Sequence, residues 1–265
     1  MDMALLQVDF YSNVIGMCMQ MDVILPQKVD KYMDTNVKSG NDKYPTLYLL
    51  HGMGGNNTSW IRRSSIERYV DNMGIAVVMP TTHLGWYTDM YHGHKYWTFI
   101  SQELPAICHE FFPGMSEKRE DNFVAGLSMG GYGAFKLALG CSDRFFGAAS
   151  LSGALDSSDL ANIDTSNKDF FENVFGPLDK VIGSDNDLFT LATKLKESGK
   201  PLPKLYMWCG TEDFLYNGNR AMKEHLENLG FDLTYEESAG DHQWKYWDEK
   251  IQDVLKWLPL KSNIN

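Results

Sequence analysis

Ser128 stands in the run A-G-L-S-M-G-G-Y-G, between an apolar stretch, Asn122 to Leu127, and a segment that reads as the start of a helix. A serine at such a strand-to-helix turn is held on a strained elbow with its hydroxyl exposed above a sheet, and Gly126 and Gly130 relieve crowding that side chains would cause. The backbone N–H of Met129 and the helix N-terminus then lie where an oxyanion would develop. Spelling alone is weak evidence, because glycine is common enough to give this pattern by chance in roughly one chain in ten of this length. Placement between strand and helix carries the reading. Ser150 and Ser152 lack the second glycine and carry little weight.

A serine hydroxyl needs an imidazole to accept its proton and a carboxylate to fix that imidazole's tautomer. On this kind of sheet the acid precedes the histidine, and both follow the nucleophile. Only His225 and His242, of seven histidines, follow Ser128. His225 falls within the helical pattern from Asn217 to Asn228 and reads as a structural ring. His242, in S-A-G-D-H-Q-W, occupies a loop between a strand and the final helix, so it is the expected base. The strand KLYMWCG ends in T-E-D-F, which makes Asp213 the expected acid and Glu212 the runner-up. Asp241 adjoins His242, but neighbouring side chains diverge, so it reads as a turn former or solvated loop charge.

The run H-G-M-G-G after the strand TLYLLHG is where a second oxyanion donor is expected, and the N–H of Met53 is assigned to it. His51 reads as a brace for this loop. Trp60, Trp86 and Tyr87 fall in or near loops that follow strands and stand as candidate pocket-lining residues, with core packing the open alternative. His92 and His94 on a glycine-containing loop have no nearby third ligand and make a weak metal pair. No metal and no cofactor are expected for this chemistry.

The elements that must position these groups alternate along the chain. Leu5 to Tyr11 and Met17 to Leu25 read as an antiparallel edge pair, followed by a polar stretch from Gln27 to Lys43. Strand-like runs TLYLLHG, GIAVVMP, NFVAG, GAASLSG, KLYMWCG and LTYEES then alternate with helices over Ser59 to Asn72, Lys95 to Phe111, Gly130 to Leu139 and Asn217 to Asn228. This rhythm predicts an α/β fold, a mostly parallel sheet of about eight strands covered by helices on both faces. Residues 154–187, rich in Asp, Asn, Ser and Phe, break the rhythm and read as an insertion that walls a pocket. One domain is expected for 265 residues.

Composition narrows the function classes. With 43% hydrophobic and 22% charged residues the chain is ordinary globular material. Its net charge of -11 repels nucleic acid and anionic lipid, so neither is an expected partner. Cys18, Cys108, Cys141 and Cys209 lie far apart with no C-x-x-C pair, which suits reduced thiols. The opening MDMALLQVDF has no basic residue and no long apolar run, so no signal peptide is expected. The longest apolar stretches, such as Tyr48 to Leu50 and Ile75 to Met79, are too short for a membrane span.

Taken together, L-L-H-G-M-G-G, L-G-W-Y-T-D, A-G-L-S-M-G-G-Y-G, W-C-G-T-E-D-F-L-Y and S-A-G-D-H-Q-W resemble the tributyrin esterase family of lactic acid bacteria and streptococci. That family lies in the wider group of esterase D, S-formylglutathione hydrolase and feruloyl esterase-like α/β-hydrolases. The resemblance spans nearly the whole chain. It implies triad positions at Ser128, Asp213 and His242, oxyanion positions at Met53 and Met129, and short acyl esters, acetyl to butyryl, as small-molecule substrates. It also implies a cytoplasmic location and leaves a homo-oligomer open. Two alternatives remain within hydrolases, a thioesterase acting on S-formylglutathione and an esterase acting on feruloyl or acetyl groups of carbohydrate. A third, of another class, is a catalytically silent binding scaffold.

Overall fold

The computed structural model describes residues 3–27, 43–158 and 167–260. Residues 28–42 of the polar stretch expected from Gln27 to Lys43, and residues 159–166 of the 154–187 insertion, lie outside these residues.

Eight strands form one sheet: β1 (Met3–Ser12), β2 (Met17–Pro26), β3 (Thr46–Leu50), β4 (Ala76–Pro80), β5 (Asn122–Leu127), β6 (Gly147–Leu151), β7 (Lys204–Gly210) and β8 (Leu233–Ser238). Their order is β1-β2-β4-β3-β5-β6-β7-β8. The pairings of β1 with β2 and of β2 with β4 are antiparallel, and all the others are parallel. Each residue of β3, β4, β5 and β6 is buried, because side chains alternate between two covered faces. Along β3, Tyr48 and Leu50 join one apolar cluster while Leu47 and Leu49 join the other. The two edge strands, β1 and β8, are half open, which the glutamates of β8 tolerate.

The helices are α1 (Ser59–Arg63), α2 (Ile66–Tyr69), α3 (Leu104–Phe111), α4 (Met129–Gly140), α5 (Lys168–Phe175), α6 (Leu188–Glu197), α7 (Tyr216–Asn228) and α8 (Trp244–Trp257). Two departures from the sequence expectation have local causes. The single helix expected over Ser59 to Asn72 is two short ones. Ser64 is extended, its hydroxyl bonds back to the Trp60 carbonyl at 2.6 Å, and the Ser65 N–H donates to Asp248 at 3.2 Å. Serine side chains that compete for backbone partners end helices in this way.

The helix expected over Lys95 to Phe111 enters through Tyr96–Thr98 and a π-helical turn, Phe99–Glu103. Pro105 has no N–H to give the Ser101 carbonyl, and Arg144 bonds that carbonyl instead. The described part of the insertion is anchored by aromatics: Phe171 and Phe175 of α5 meet the Trp86 ring edge-on at 5.5 and 5.7 Å.

Candidate active site

Four loops at the carboxyl ends of β3, β5, β7 and β8 converge, the edge of a parallel sheet where ligands bind. Ser128 joins β5 to α4 with φ 54° and ψ -120°, a backbone region that costs a non-glycine residue about 1–3 kcal/mol. The turn is tight enough to require glycine on both sides. A Cβ on Gly126 would stand 2.3 Å from the Gly130 carbonyl oxygen, and one on Gly130 would stand 2.6 Å from the Leu50 oxygen. The hydroxyl is thereby raised toward the loop after β8.

Ser128 Oγ lies 3.0 Å from His242 Nε2, and His242 Nδ1 lies 2.8 Å from Asp213 Oδ2. The Asp213 side chain is fully buried and its other oxygen accepts the Leu215 N–H at 2.9 Å. Burial alone would raise this carboxyl, but the hydrogen bonds from His242 and Leu215 hold it below the ordinary aspartate value. An ionised carboxylate only accepts, so Nδ1 carries the imidazole proton and Nε2 presents its lone pair to the serine hydroxyl. This arrangement can draw a proton from Ser128 as its oxygen attacks a carbonyl carbon.

The loop carrying His242 is clamped by the runner-up acid. Glu212 accepts the Gly240 N–H through its carboxylate, while the Glu212 N–H donates to the Gly240 carbonyl at 3.0 Å. Glu212 therefore sets the position of the imidazole loop without touching the ring. Asp241 bonds Gln243 within that same loop. His225 bonds the Phe189 carbonyl at 3.1 Å and Thr193 at 3.2 Å, away from this site. Ser150 and Ser152 are fully buried. His92 and His94 lie exposed beside Tyr91 and Tyr96. Among the described residues no group of three His, Cys, Asp or Glu is spaced to hold a metal ion.

His51 organises the loop after β3. Thr82 N–H donates to its Nε2 at 3.1 Å, so its Nδ1–H donates to the Gly52 carbonyl at 2.7 Å. That carbonyl also accepts from Gly55 at 3.0 Å. In a trans peptide the N–H points opposite to its carbonyl, so the N–H of Met53 is turned away from these partners. Met129, next to Ser128, begins α4, whose first N–H groups have no partner in the helix. The Met53 peptide is thus held on a braced loop and the Met129 peptide at a helix start, the two positions expected to donate to an oxyanion.

Burial lowers the His51 pKa to about 4, although the Gly52 carbonyl pulls the other way. An unfolded chain, at the ordinary value of 6.5, takes up a proton here that the folded chain refuses. The resulting stability is present in full above pH 6.5 and is lost as pH falls toward 4, a change of about 3 kcal/mol. Urea unfolding stepped through this range should show a steeper loss for the wild type than for His51→Gln. Parallel profiles would remove His51 as the cause.

The cleft over Ser128 has a volume of about 410 Å³ and is lined by Gly52, Met53, Gly54, Gly55, Asn56, Ser59, Arg62, Arg63, Leu127, Ser128, His242, Trp244 and Trp247. Trp60, Trp86 and Tyr87 are absent from it, which corrects the expectation that they line the pocket. Trp60 is 1% exposed, donates its Nε1–H to the Leu50 carbonyl at 3.0 Å and packs on Trp244. Tyr87 is fully buried and its hydroxyl donates to the His51 carbonyl at 2.8 Å. Trp86 packs among Tyr132, Phe171 and Phe175. Large rings with a single polar atom bury well when that atom finds a backbone partner, and both Trp60 and Tyr87 brace the β3 loop in this way.

Sequence reasoning missed the residues that do surround the imidazole. Phe214, 75% exposed, lies 4.7 Å from the His242 ring centre, and Trp247 meets that ring edge-on at 4.8 Å. The spacing of Trp244 and Trp247, three apart just after His242, was a usable signal for one helical face beside the site. A larger cleft, about 900 Å³, opens at the opposite end of the strands among Lys43, Phe123, Phe146 and Leu260, and no imidazole or thiol lines it.

The family model described as "Putative esterase" matches residues 12–258. The chain belongs to this esterase family. An acetyl esterase of Caldicellulosiruptor saccharolyticus is 37% identical, over 98% of this chain and 100% of that one. Among solved structures, the Staphylococcus aureus fluorophosphonate-binding serine hydrolase FphF matches with a TM-score of 0.86 and 34% identity, over 97% of this chain and 98% of that one. The S-formylglutathione hydrolase FrmB of Staphylococcus aureus matches with a TM-score of 0.84 and 35% identity over the same shares. The esterase therefore has the α/β-hydrolase fold, and its enzyme class is that of the serine hydrolases. None of its described helices is long and apolar enough to cross a membrane.

Proposed function

We propose that this esterase hydrolyses short-chain acyl esters, acetyl to butyryl, through an acyl-enzyme on Ser128. His242 takes the serine proton as Oγ bonds to the carbonyl carbon, and Asp213 holds the imidazole in the required tautomer. The N–H groups of Met53 and Met129 stabilise the oxyanion. The intermediate collapses as His242 returns its proton to the departing alcohol oxygen, and water then repeats the cycle on the acyl-serine. The observation that carries this reading is the continuous relay of 3.0 and 2.8 Å from hydroxyl to imidazole to buried carboxylate.

A short acyl preference is supported by how the aromatic residues are used. Trp86, Tyr132, Phe171 and Phe175 fill the space under the insertion with ring-on-ring contacts instead of lining a long apolar channel to Ser128. A p-nitrophenyl ester series should give its highest kcat/KM between acetyl and butyryl and fall by about tenfold or more by octanoyl, as expected when added methylenes find no pocket. A flat or rising series would overturn the acyl range. The tributyrin esterase group is the finer assignment that fits this range.

The relative named S-formylglutathione hydrolase favours a second reading, in which the same groups cleave a thioester. Measured beside the oxygen esters, S-formylglutathione would then show the larger kcat/KM. Four free cysteines, of which Cys18 is exposed, support a reducing cytoplasmic setting.

A further inference from the structure

We propose that Arg62 and Arg63 form an anion-binding subsite, so that the natural ester or thioester carries a negative charge on its leaving group. The inference rests on the esterase reading above and specifies its substrate class. The chain has six arginines. Four are engaged by their own chain: Arg68 lies over Tyr69, Arg119 bonds the Ser142 and Leu202 carbonyls, Arg144 bonds the Ser101 carbonyl, and Arg220 bonds Tyr216. Arg62 and Arg63 have no ion pair, hydrogen bond or ring contact to their side chains among the described residues, and both line the Ser128 cleft.

The electrostatic setting sharpens this. No aspartate or glutamate lines the cleft, and Asp213 is sealed behind the imidazole. A chain with a net charge of -11 thus leaves two exposed, unneutralised arginines lining the cleft that holds Ser128. Each planar fork matches a carboxylate or phosphate in two-point contact. The acidic remainder of the surface repels the same anion elsewhere, so the cleft concentrates it. His242 hands its proton to the departing oxygen or sulfur, which places the leaving group on the imidazole side of Ser128. Arg62, Arg63 and the His242 ring share that one cleft.

The test compares two acetate esters that differ in charge and little else, 3-acetoxybenzoate and 3-acetoxybenzamide, with the full-length enzyme. Exposed charge pairs are weak, so the kcat/KM ratio of anionic to neutral ester should fall by about tenfold in Arg62→Ala/Arg63→Ala, equivalent to about 1.4 kcal/mol. Arg62→Lys/Arg63→Lys should keep most of the preference, and Arg62→Glu/Arg63→Glu should reverse it. In the wild type the preference should shrink as salt is raised, because exposed charges are screened. An identical ratio in the wild type and the alanine and glutamate variants would overturn the subsite while leaving the esterase intact. Failure of the wild type to cleave either ester would strike the esterase reading and remove the inference with it.

Discussion

Ser128→Ala is expected to abolish turnover, lowering kcat/KM on p-nitrophenyl acetate by roughly 10⁴- to 10⁶-fold, the range seen when a nucleophile is removed from such a relay. The Oγ atom bonds only the His242 ring among the described residues, so its loss leaves the packing of β5 and α4 unchanged. The thermal midpoint should stay near that of the wild type. Labelling by a fluorophosphonate should vanish with the hydroxyl. Glycine at this position is a sharper test, because φ 54° with ψ -120° strains any side chain and glycine relieves it. Ser128→Gly should therefore be as inactive as alanine yet more stable by about 1 kcal/mol or more. Retained activity in either variant would remove Ser128 as nucleophile. A fall in stability for glycine would show that the strain is illusory.

Asp213→Asn is expected to cost about 10⁴-fold in turnover although it changes no shape, as the corresponding substitution does in a known serine protease. The reason lies in the two oxygens of Asp213. Oδ1 accepts the Leu215 N–H at 2.9 Å, and Oδ2 accepts from His242 at 2.8 Å. An asparagine must keep its one oxygen on the buried Leu215 N–H, since an orphaned N–H costs about 1–3 kcal/mol. Its NH₂ group then faces His242 Nδ1 and donates to it. The imidazole proton moves to Nε2, which becomes a donor and can no longer receive the proton of Ser128. Steady-state kinetics would read the loss, and an NMR assignment of the ring tautomer would read its cause. Near-normal kcat with the proton still on Nδ1 would refute the role assigned to Asp213.

Much of this site was legible because a parallel sheet orders its parts along the chain. Ser128, Asp213 and His242 each follow a strand, and the loops after β5, β7 and β8 must meet at the same edge whatever the helices do. Gly126 and Gly130 were readable because the close approaches at that turn exclude any other residue. The helix boundaries were less legible. The break at Ser64 depends on Asp248, which is distant in sequence, and the π-helical turn before α3 depends on Arg144.

The roles of Trp60, Trp86 and Tyr87 illustrate the division. An aromatic residue after a strand has the same local signature whether it lines a cleft or braces a loop, and what decides is the partner its polar atom finds. For Trp60 and Tyr87 those partners are the carbonyls of Leu50 and His51, while Trp86 is settled by the rings of the insertion. The order and chemistry of nucleophile, acid and base follow from the sequence by itself, because they depend on strand periodicity and turn geometry, which are local. Which charges remain unpaired beside the nucleophile, and which rings face solvent, only the tertiary structure decides, because burial and pairing are properties of neighbours brought together from across the chain.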